Sequence, residues 1–311
     1  MTQDLPSPDA PLKIGTRGSP LALVQAQEAR ARLMAAFGLP EAAFEMVVIK
    51  VTGDLVQDKP LKAIGGKGLF TREIEEALLA GVIDIAVHSM KDMPTLQPKG
   101  LVLDCYLPRE DVRDGFVGAV AGLSALAPGA VVGTSSLRRR AQVLHRRPDL
   151  VVVEFRGNVQ TRLKKLAAGV ADCTFLAMAG LNRLGLSGVM AAPVAVETML
   201  PAVAQGAIGI ERRTGDARVA GLLASVHDGP TGVRVGMERA FLAALEGGCD
   251  TPIAGLCVLD GDGVWLRGEI LQLDGSACFA GGIRAGAAEA ALAGRDLARQ
   301  LLGRAGPGFF G

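Results

Sequence analysis

The stretch Val87-His88-Ser89-Met90-Lys91-Asp92-Met93-Pro94 sets a carboxylate beside a lysine and a hydroxyl. It follows a short apolar run, Val82-Ile83-Asp84-Ile85-Ala86-Val87, which reads as a buried strand because it is brief, β-branched and preceded by Gly81. In open α/β sheets, ligands bind beyond the carboxyl ends of the strands, so the turn is a site candidate. Lys91 favours the ionised form of Asp92, and a fixed anion there could offset positive charge developing on a substrate. On this stretch alone, a solvated Lys91–Asp92 surface pair is the plainer reading.

Anion-binding chemistry is also written along the chain. Between Val131 and Val170 nine Lys or Arg residues face two acids, Asp149 and Glu154, within a chain of net charge +1. A local basic field in a neutral protein points to an anionic ligand rather than to general polyanion adhesion. Ser19 is suited to cap a helix with Pro20 at its first position, and Arg17 stands just ahead. Thr134-Ser135-Ser136 repeats the layout before Arg138 and Arg139. Arg156-Gly157-Asn158 repeats it again, with Asn158 as cap and Arg162 on the new helix. Helix starts expose free N–H groups at a positive dipole end. Caps are common everywhere; three of the same design, each with arginines, favour a site for several anions.

The elements holding these groups follow a weak internal repeat. Ala80-Gly81-Val82-Ile83-Asp84-Ile85-Ala86 matches Ala168-Gly169-Val170-Ala171-Asp172-Cys173-Thr174, and Ile14-Gly15-Thr16 matches Val132-Gly133-Thr134. Two related α/β lobes with a hinged cleft are therefore expected, and clefts between lobes are favoured ligand sites. Chain crossings are expected at 103–116 and 199–210. The first copy carries a long insertion containing Lys62-Ala63-Ile64-Gly65-Gly66-Lys67-Gly68. Its spacing is not that of a nucleotide phosphate loop. A flap carrying Lys62 and Lys67 over negative charge, and an ordinary surface loop, both fit it.

From about Asp228 the pattern changes. A helix over 234–246 is expected, then strands at 258–259, 264–271 and 277–280 with Asp-Gly turns, then a helix over 287–302. The expected fold is thus α/β, two lobes like those of periplasmic binding proteins plus a smaller C-terminal α+β domain. The boundaries are 1–107 with 201–227 for lobe one, 108–200 for lobe two and 228–311 for the third domain. A length of 311 residues accommodates this.

Composition narrows the function classes. The five cysteines are scattered and odd in number, which argues for free thiols and against a disulfide frame or zinc knuckle, so no metal site is expected. No apolar run is long enough to span a bilayer, and the first residues do not resemble a signal peptide; a cytoplasmic location is expected, with no membrane partner. One Trp and one Tyr offer few platforms for bases, so a nucleic-acid partner is not expected. Cys249 follows a helix C-terminus beside Asp250, both of which disfavour a thiolate. A free loop thiol is the plain reading; a thiol alkylated once and then left as a tether also fits.

Several long motifs, in order, resemble the porphobilinogen deaminase family from about Leu12 to the final helix. They are Gly15-Thr16-Arg17-Gly18-Ser19-Pro20-Leu21-Ala22, Gly65-Gly66-Lys67-Gly68-Leu69-Phe70, His88-Ser89-Met90-Lys91-Asp92, Gly133-Thr134-Ser135-Ser136-Leu137-Arg138-Arg139, Arg156-Gly157-Asn158, Gln205-Gly206 and Glu246-Gly247-Gly248-Cys249. The resemblance implies a transferase of tetrapyrrole biosynthesis that joins four porphobilinogen molecules head to tail, with loss of ammonia, into hydroxymethylbilane. It implies a dipyrromethane cofactor attached through Cys249 and a monomeric enzyme. Asp92 would be catalytic. Cofactor contacts would come from Ser89, Lys91, Thr134, Ser135, Ser136, Arg138, Arg139, Arg162 and Gly206. Substrate contacts would come from Arg17, Ser19, Arg156, Arg183, Gln205, Lys62 and Lys67. Each pyrrole bears an acetate and a propionate, a load suited to arginines and hydroxyls. Ala204, where the family usually has glycine, and Met93, where it has a smaller residue, depart from the pattern. A periplasmic-type anion-binding protein would share the repeat and the basic residues but leaves the third domain unexplained.

Overall fold

The structure is a computed structural model and describes residues 4–51, 71–186, 188–189, 191–248 and 251–310. The chain opens with β1 (Leu12–Arg17), α1 (Pro20–Phe37), β2 (Phe44–Ile49), α2 (Arg72–Leu79), β3 (Ile85–Ser89) and β4 (Leu101–Tyr106). It continues through β5 (Asp114–Gly118), β6 (Val131–Gly133), α3 (Leu137–Arg146), β7 (Val151–Val153), α4 (Val159–Ala167), β8 (Cys173–Ala177), α5 (Met178–Arg183) and β9 (Ala191–Pro193). Then come β10 (Ile208–Arg213), α6 (Ala217–Ala224), α7 (Gly229–Ala244), β11 (Ile253–Asp260), β12 (Gly263–Leu271), β13 (Cys278–Gly286) and α8 (Ala290–Ala305). The whole is mixed α/β and divides into two compact units, Met1–Arg109 with Ala207–Gly232, and Glu110–Gly206 with Val233–Gly311.

The first unit is built on a five-stranded sheet in the order β2-β1-β3-β10-β4. β1 runs parallel to β2 and β3, whereas β10 is antiparallel to β3 and β4. Its core joins Leu12, Ile14, Leu33, Phe44, Ile85, Val87, Ile208 and Ile210, each buried. Burying such a side chain contributes about 1.5–3 kcal/mol, and the contribution is made only in this register because a one-residue slip would turn every strand inside out. Helix α1 starts where the sequence says it should. Ser19 Oγ accepts from Ala22 N at 3.3 Å, Pro20 occupies the first turn, and Gly38 closes the helix in the left-handed region at φ 63°.

The second unit contains a matching sheet, β7-β6-β8-β5-β9, again with three parallel strands and then two pairings of reversed sense. The internal repeat of the sequence is thus a repeat of sheet order, with β6 and β8 standing for β1 and β3. Ser136 caps α3 and Asn158 caps α4, the latter with Oδ1 2.9 Å from Thr161 N.

The same unit holds the antiparallel sheet β11-β12-β13, with α8 packed on β12 and β13 through Ala293, Leu297 and Leu301. Along β12, Val264, Leu266 and Ile270 are buried, while the guanidiniums of Arg267 and Arg284 lie over the Trp265 ring, 4.8 and 4.6 Å from its centroid. Several boundaries differ from the sequence reading: β13 runs on to Gly286 rather than stopping at 280, and α8 spans Ala290–Ala305 rather than 287–302. α7 begins at Gly229 rather than at 234, because Asp228 Oδ2 accepts from Thr231 N at 2.8 Å and Pro230 suits a first turn. The first strand of this sheet starts at Ile253 because its register with β12 runs unbroken from Ile253–Ile270 to Asp260–Gly263.

Candidate active site

Asp92 ends a one-turn 3₁₀ helix, Met90–Asp92, that follows β3 directly. Met90 is buried and anchors the turn: its N donates to Ala207 O at 3.1 Å, and its side chain fills the space that a Cβ on Gly209 would need. The turn sits at the C-terminal end of the central strand, and with Met90 buried, Lys91 and Asp92 are left partly exposed. Asp92 lines a pocket of about 70 Å³ together with Arg17, Ser19, Leu21, Gln25, Thr71, His88 and Ser89. Arg17 ends β1 and Ser19 caps α1, so adjacent parallel strands deliver a cation, a hydroxyl and a carboxylate to one place. Lys91 shares the turn with Asp92 but does not line this pocket.

His88, in the lining of this pocket, pairs with an acid the motifs did not single out. His88 Nε2 is 3.1 Å from Glu211 Oε2, and both side chains are buried. Glu75 lies in the same region, and burial raises its carboxyl above the ordinary glutamate value, with Glu211 adding to the effect. The signal available in the sequence was an acid inside the apolar strand Ile208-Gly209-Ile210-Glu211. Buried acids are rare without a partner, so Glu211 called for one.

The second unit carries most of the basic residues. Thr134 Oγ1 accepts from Ser136 N at 3.2 Å, and Ser135 Oγ accepts from Phe155 N at 2.9 Å, tying the end of β6 to the end of β7. Ser136 Oγ accepts from Arg139 N. Arg162 Nε donates to Gly157 O at 2.9 Å, and the carbonyl of Arg156 accepts from Lys165 Nζ at 3.0 Å. Arg183 donates to Gly206 O at 3.2 Å. Gly206 itself has φ 86°, and a Cβ there would come within 2.5 Å of Glu110 O, so only glycine fits. Ala204, two residues earlier, is left-handed too, at φ 60°; that explains why glycine would suit the position.

Arg138 and Arg139 stand apart from the other candidate-site arginines, Arg17, Arg156, Arg162 and Arg183, because they are buried. Both converge on Asp114, the first residue of β5. Arg138 Nη2 donates to Oδ2 at 2.8 Å, and Arg139 Nη2 donates to Oδ1 at 2.7 Å. Gln205 Nε2 donates to the same Oδ1 at 3.0 Å. Burial by itself would push the Asp114 carboxyl up, but the two guanidiniums outweigh it and hold it well below the usual range. Cys249, Lys62 and Lys67 lie outside the described residues. Among the described residues no group of three His, Cys, Asp or Glu could hold a metal ion, and no helix is long and apolar enough to cross a membrane.

The family model described as "Porphobilinogen deaminase, dipyromethane cofactor binding domain" matches residues 12–221, and "Porphobilinogen deaminase, C-terminal domain" matches residues 233–303. The porphobilinogen deaminase of Paracoccus denitrificans is 65% identical over 311 residues, covering 100% of this chain and 99% of the relative. The chloroplastic porphobilinogen deaminase of Pisum sativum is 51% identical over 307 residues, covering 96% of this chain and 83% of the relative. Among solved structures, the ancestral amino-acid-binding protein AncCDT-1 aligns at TM-score 0.38 and 14% identity, covering 69% of this chain and 86% of its own; a likeness that low carries no argument. The family makes hydroxymethylbilane from porphobilinogen in tetrapyrrole biosynthesis and uses a dipyrromethane cofactor. With both of its domain models matched in order and full-length identity this high, the chain belongs to the porphobilinogen deaminase family and is a transferase.

Proposed function

We propose that Asp92 drives the condensation of porphobilinogen in this chain, that Cys249 carries the dipyrromethane as a thioether, and that the basic residues of the second unit are the counter-charges for its carboxylates. One observation carries the assignment of Asp92: it shares a small pocket with Arg17 and Ser19. A fixed anion and a carboxylate-binding cation then act within a single substrate's reach. Asp92 accepts hydrogen bonds from pyrrole N–H groups, and its charge offsets the cation that develops as ammonia leaves the substrate. Removal of the displaced ring proton falls to the same carboxylate. Arg17, Ser19, Arg156, Arg183 and Gln205 hold substrate side chains, with Lys62 and Lys67 contributing from the segment after β2.

The donor set of the second unit fits a polycarboxylate. Thr134, Ser135, Ser136, Arg138, Arg139 and Arg162 are hydroxyls and guanidiniums, and Arg138 and Arg139 share the Asp114 carboxylate. Ser89, Lys91 and Gly206 complete the cofactor contacts. When bound, the dipyrromethane supplies the pyrrole to which the first substrate is joined. A thiol that follows a helix C-terminus is poorly placed for repeated nucleophilic turnover and well suited to a single alkylation. We further take the enzyme to be a cytoplasmic monomer, without a nucleic-acid or membrane partner, and its C-terminal part from residue 228 to be a separate α+β domain.

The test is Asp92→Asn in the full chain. Turnover should fall by about 10²–10³ or more, while intact mass still reports the cofactor on Cys249 and circular dichroism is unchanged. Turnover near the parent value would remove Asp92 from the role.

A further inference from the structure

The network around Asp114 has no place in the reaction as assigned so far, yet it holds three residues that do. Arg138 and Arg139 lie in the first turn of α3, where the helix dipole disfavours cations, and no acidic residue stands in that turn. They are nevertheless buried, which is costly for a charge without an anionic partner. Asp114 supplies the anion. It is fully buried, and its two oxygens receive Arg138, Arg139 and Gln205 at 2.8, 2.7 and 3.0 Å. The remaining Nη1 groups are held by Leu200 O and Gln142 Oε1 for Arg138 and by Phe175 O for Arg139. Both Nε–H groups are buried without a hydrogen-bond partner among the described residues.

A second acid, Glu269, joins the group by accepting from Gln142 Nε2 at 2.8 Å, and its charge also acts on Arg138. The geometry of the group is fixed from β5, which precedes α3 in the chain and is not part of any of the anion-trap motifs.

We propose that Asp114 is a positioning residue for cofactor and substrate binding: it sets the guanidinium planes of Arg138 and Arg139 and the amide of Gln205, so that a ligand carboxylate meets donors already fixed in place. This rests on the assignment of those three residues under the proposed function. An aspartate is needed because a single planar carboxylate can receive all three donors. Asparagine would turn an N–H₂ group toward one guanidinium, and glutamate would carry the charge one methylene too far.

The experiment compares Asp114→Asn and Asp114→Glu with the parent as full-length chains. Three readings are taken on each purified sample: the cofactor-bearing fraction by intact mass, the melting temperature, and KM for porphobilinogen. The parent should be loaded. Asp114→Asn should be loaded in a minority of chains. Asp114→Glu, which keeps the charge, should load more fully yet lose about 10–100-fold in kcat/KM through a raised KM, as expected for a displacement of about 1 Å. If both variants lose only melting temperature, with loading and KM as in the parent, Asp114 is merely structural and the proposal fails. If Asp114→Asn does not fold, Asp114→Glu decides by the same two readings. A parent without added mass at Cys249 instead overturns the tether, and with it the ground of the inference.

Discussion

The two units carry the same sheet, and each buries one acid on the strand that runs against its third member. In the first unit this is Glu211 on β10; in the second it is Asp114 on β5. Their partners differ in kind. Glu211 meets His88, an imidazole that can shed its charge, whereas Asp114 meets two guanidiniums that cannot. The level along the strand differs as well: Glu211 pairs with Ala86 within β3, while Asp114 pairs with Ala177 at the very end of β8. One architecture thus serves two electrical purposes. The first unit keeps a permanent cation, Arg17, at the pocket beside Asp92, with the buried His88–Glu211 pair at its wall. The second fixes two permanent cations on one buried carboxylate.

The largest test of this contrast is stability after each acid is removed. Asp114→Ala strips two buried cations of their counter-charge and should cost about 3–5 kcal/mol, read from urea midpoints. Glu211→Gln keeps an acceptor for His88 and should cost about 1 kcal/mol. The pH dependence has opposite signs. The folded Asp114 carboxyl is depressed, so its contribution is complete above the unfolded value of about 4 and is lost as pH falls toward the folded value. The folded Glu75 carboxyl is raised, so the first unit is favoured below about 4.3 and loses that contribution as pH rises through the raised value. Hence the deficit of Asp114→Ala should shrink on acidification below pH 4, and Glu75→Gln should gain on the parent as pH rises. Equal costs for Asp114→Ala and Glu211→Gln, with parallel pH curves, would break the comparison.

A smaller effect is expected where the two units are most alike. Gly15 in β1 and Gly133 in β6 are equivalent, and both leave room for a large side chain. A Cβ on Gly15 would meet Ile83 Cδ1 at 2.3 Å, but the other Ile83 atoms lie at 3.3 Å or beyond. A Cβ on Gly133 would meet three atoms of the Phe155 ring between 2.5 and 2.9 Å. The end of an isoleucine can change rotamer; a fully buried ring must move as a body. Gly133→Ala should therefore cost about 1–3 kcal/mol and Gly15→Ala less, both read by thermal melting. The reverse order would mean that the core behind β1 is the stiffer of the two.

These contrasts also mark what the sequence makes legible. Local physics is readable: Ser19, Ser136 and Asn158 cap the helices they precede, and the Gly15/Gly133 pattern announces two equal sheets. So is the turn after β3, because Pro94 and the strand before it confine Asp92 to the C-terminal end of that strand. The start of α7 was missed because Asp228 and Pro230 resemble a turn until the cap is seen to bond Thr231 N. Asp114 was missed for a deeper reason. Its partners lie 24, 25 and 91 residues away, and nothing in Asp114-Gly115-Phe116 distinguishes a buried carboxylate from a turn residue. Long-range charge pairing leaves no local mark: the sequence places Arg138 and Arg139 in an anion site but does not show that they are buried on Asp114.

The smallest expected effect uses two thiols as reporters, one in each unit. Cys105 in β4 and Cys173 in β8 are both buried, and burial pushes each thiol up to about 12. The nucleophile is the thiolate, so at pH 8 only about one thiol in 10⁴ is reactive even before access is considered. Substituting either would change little; labelling them reports local opening instead. In the parent, iodoacetamide should leave both unmodified over hours, as read by peptide mass. In Asp114→Ala, Cys173 should be alkylated ahead of Cys105, because the lost counter-charge weakens the sheet that β8 belongs to and leaves the other sheet intact. Simultaneous labelling would mean that the two units open as one body, and that the electrical difference between them does not translate into separate stabilities.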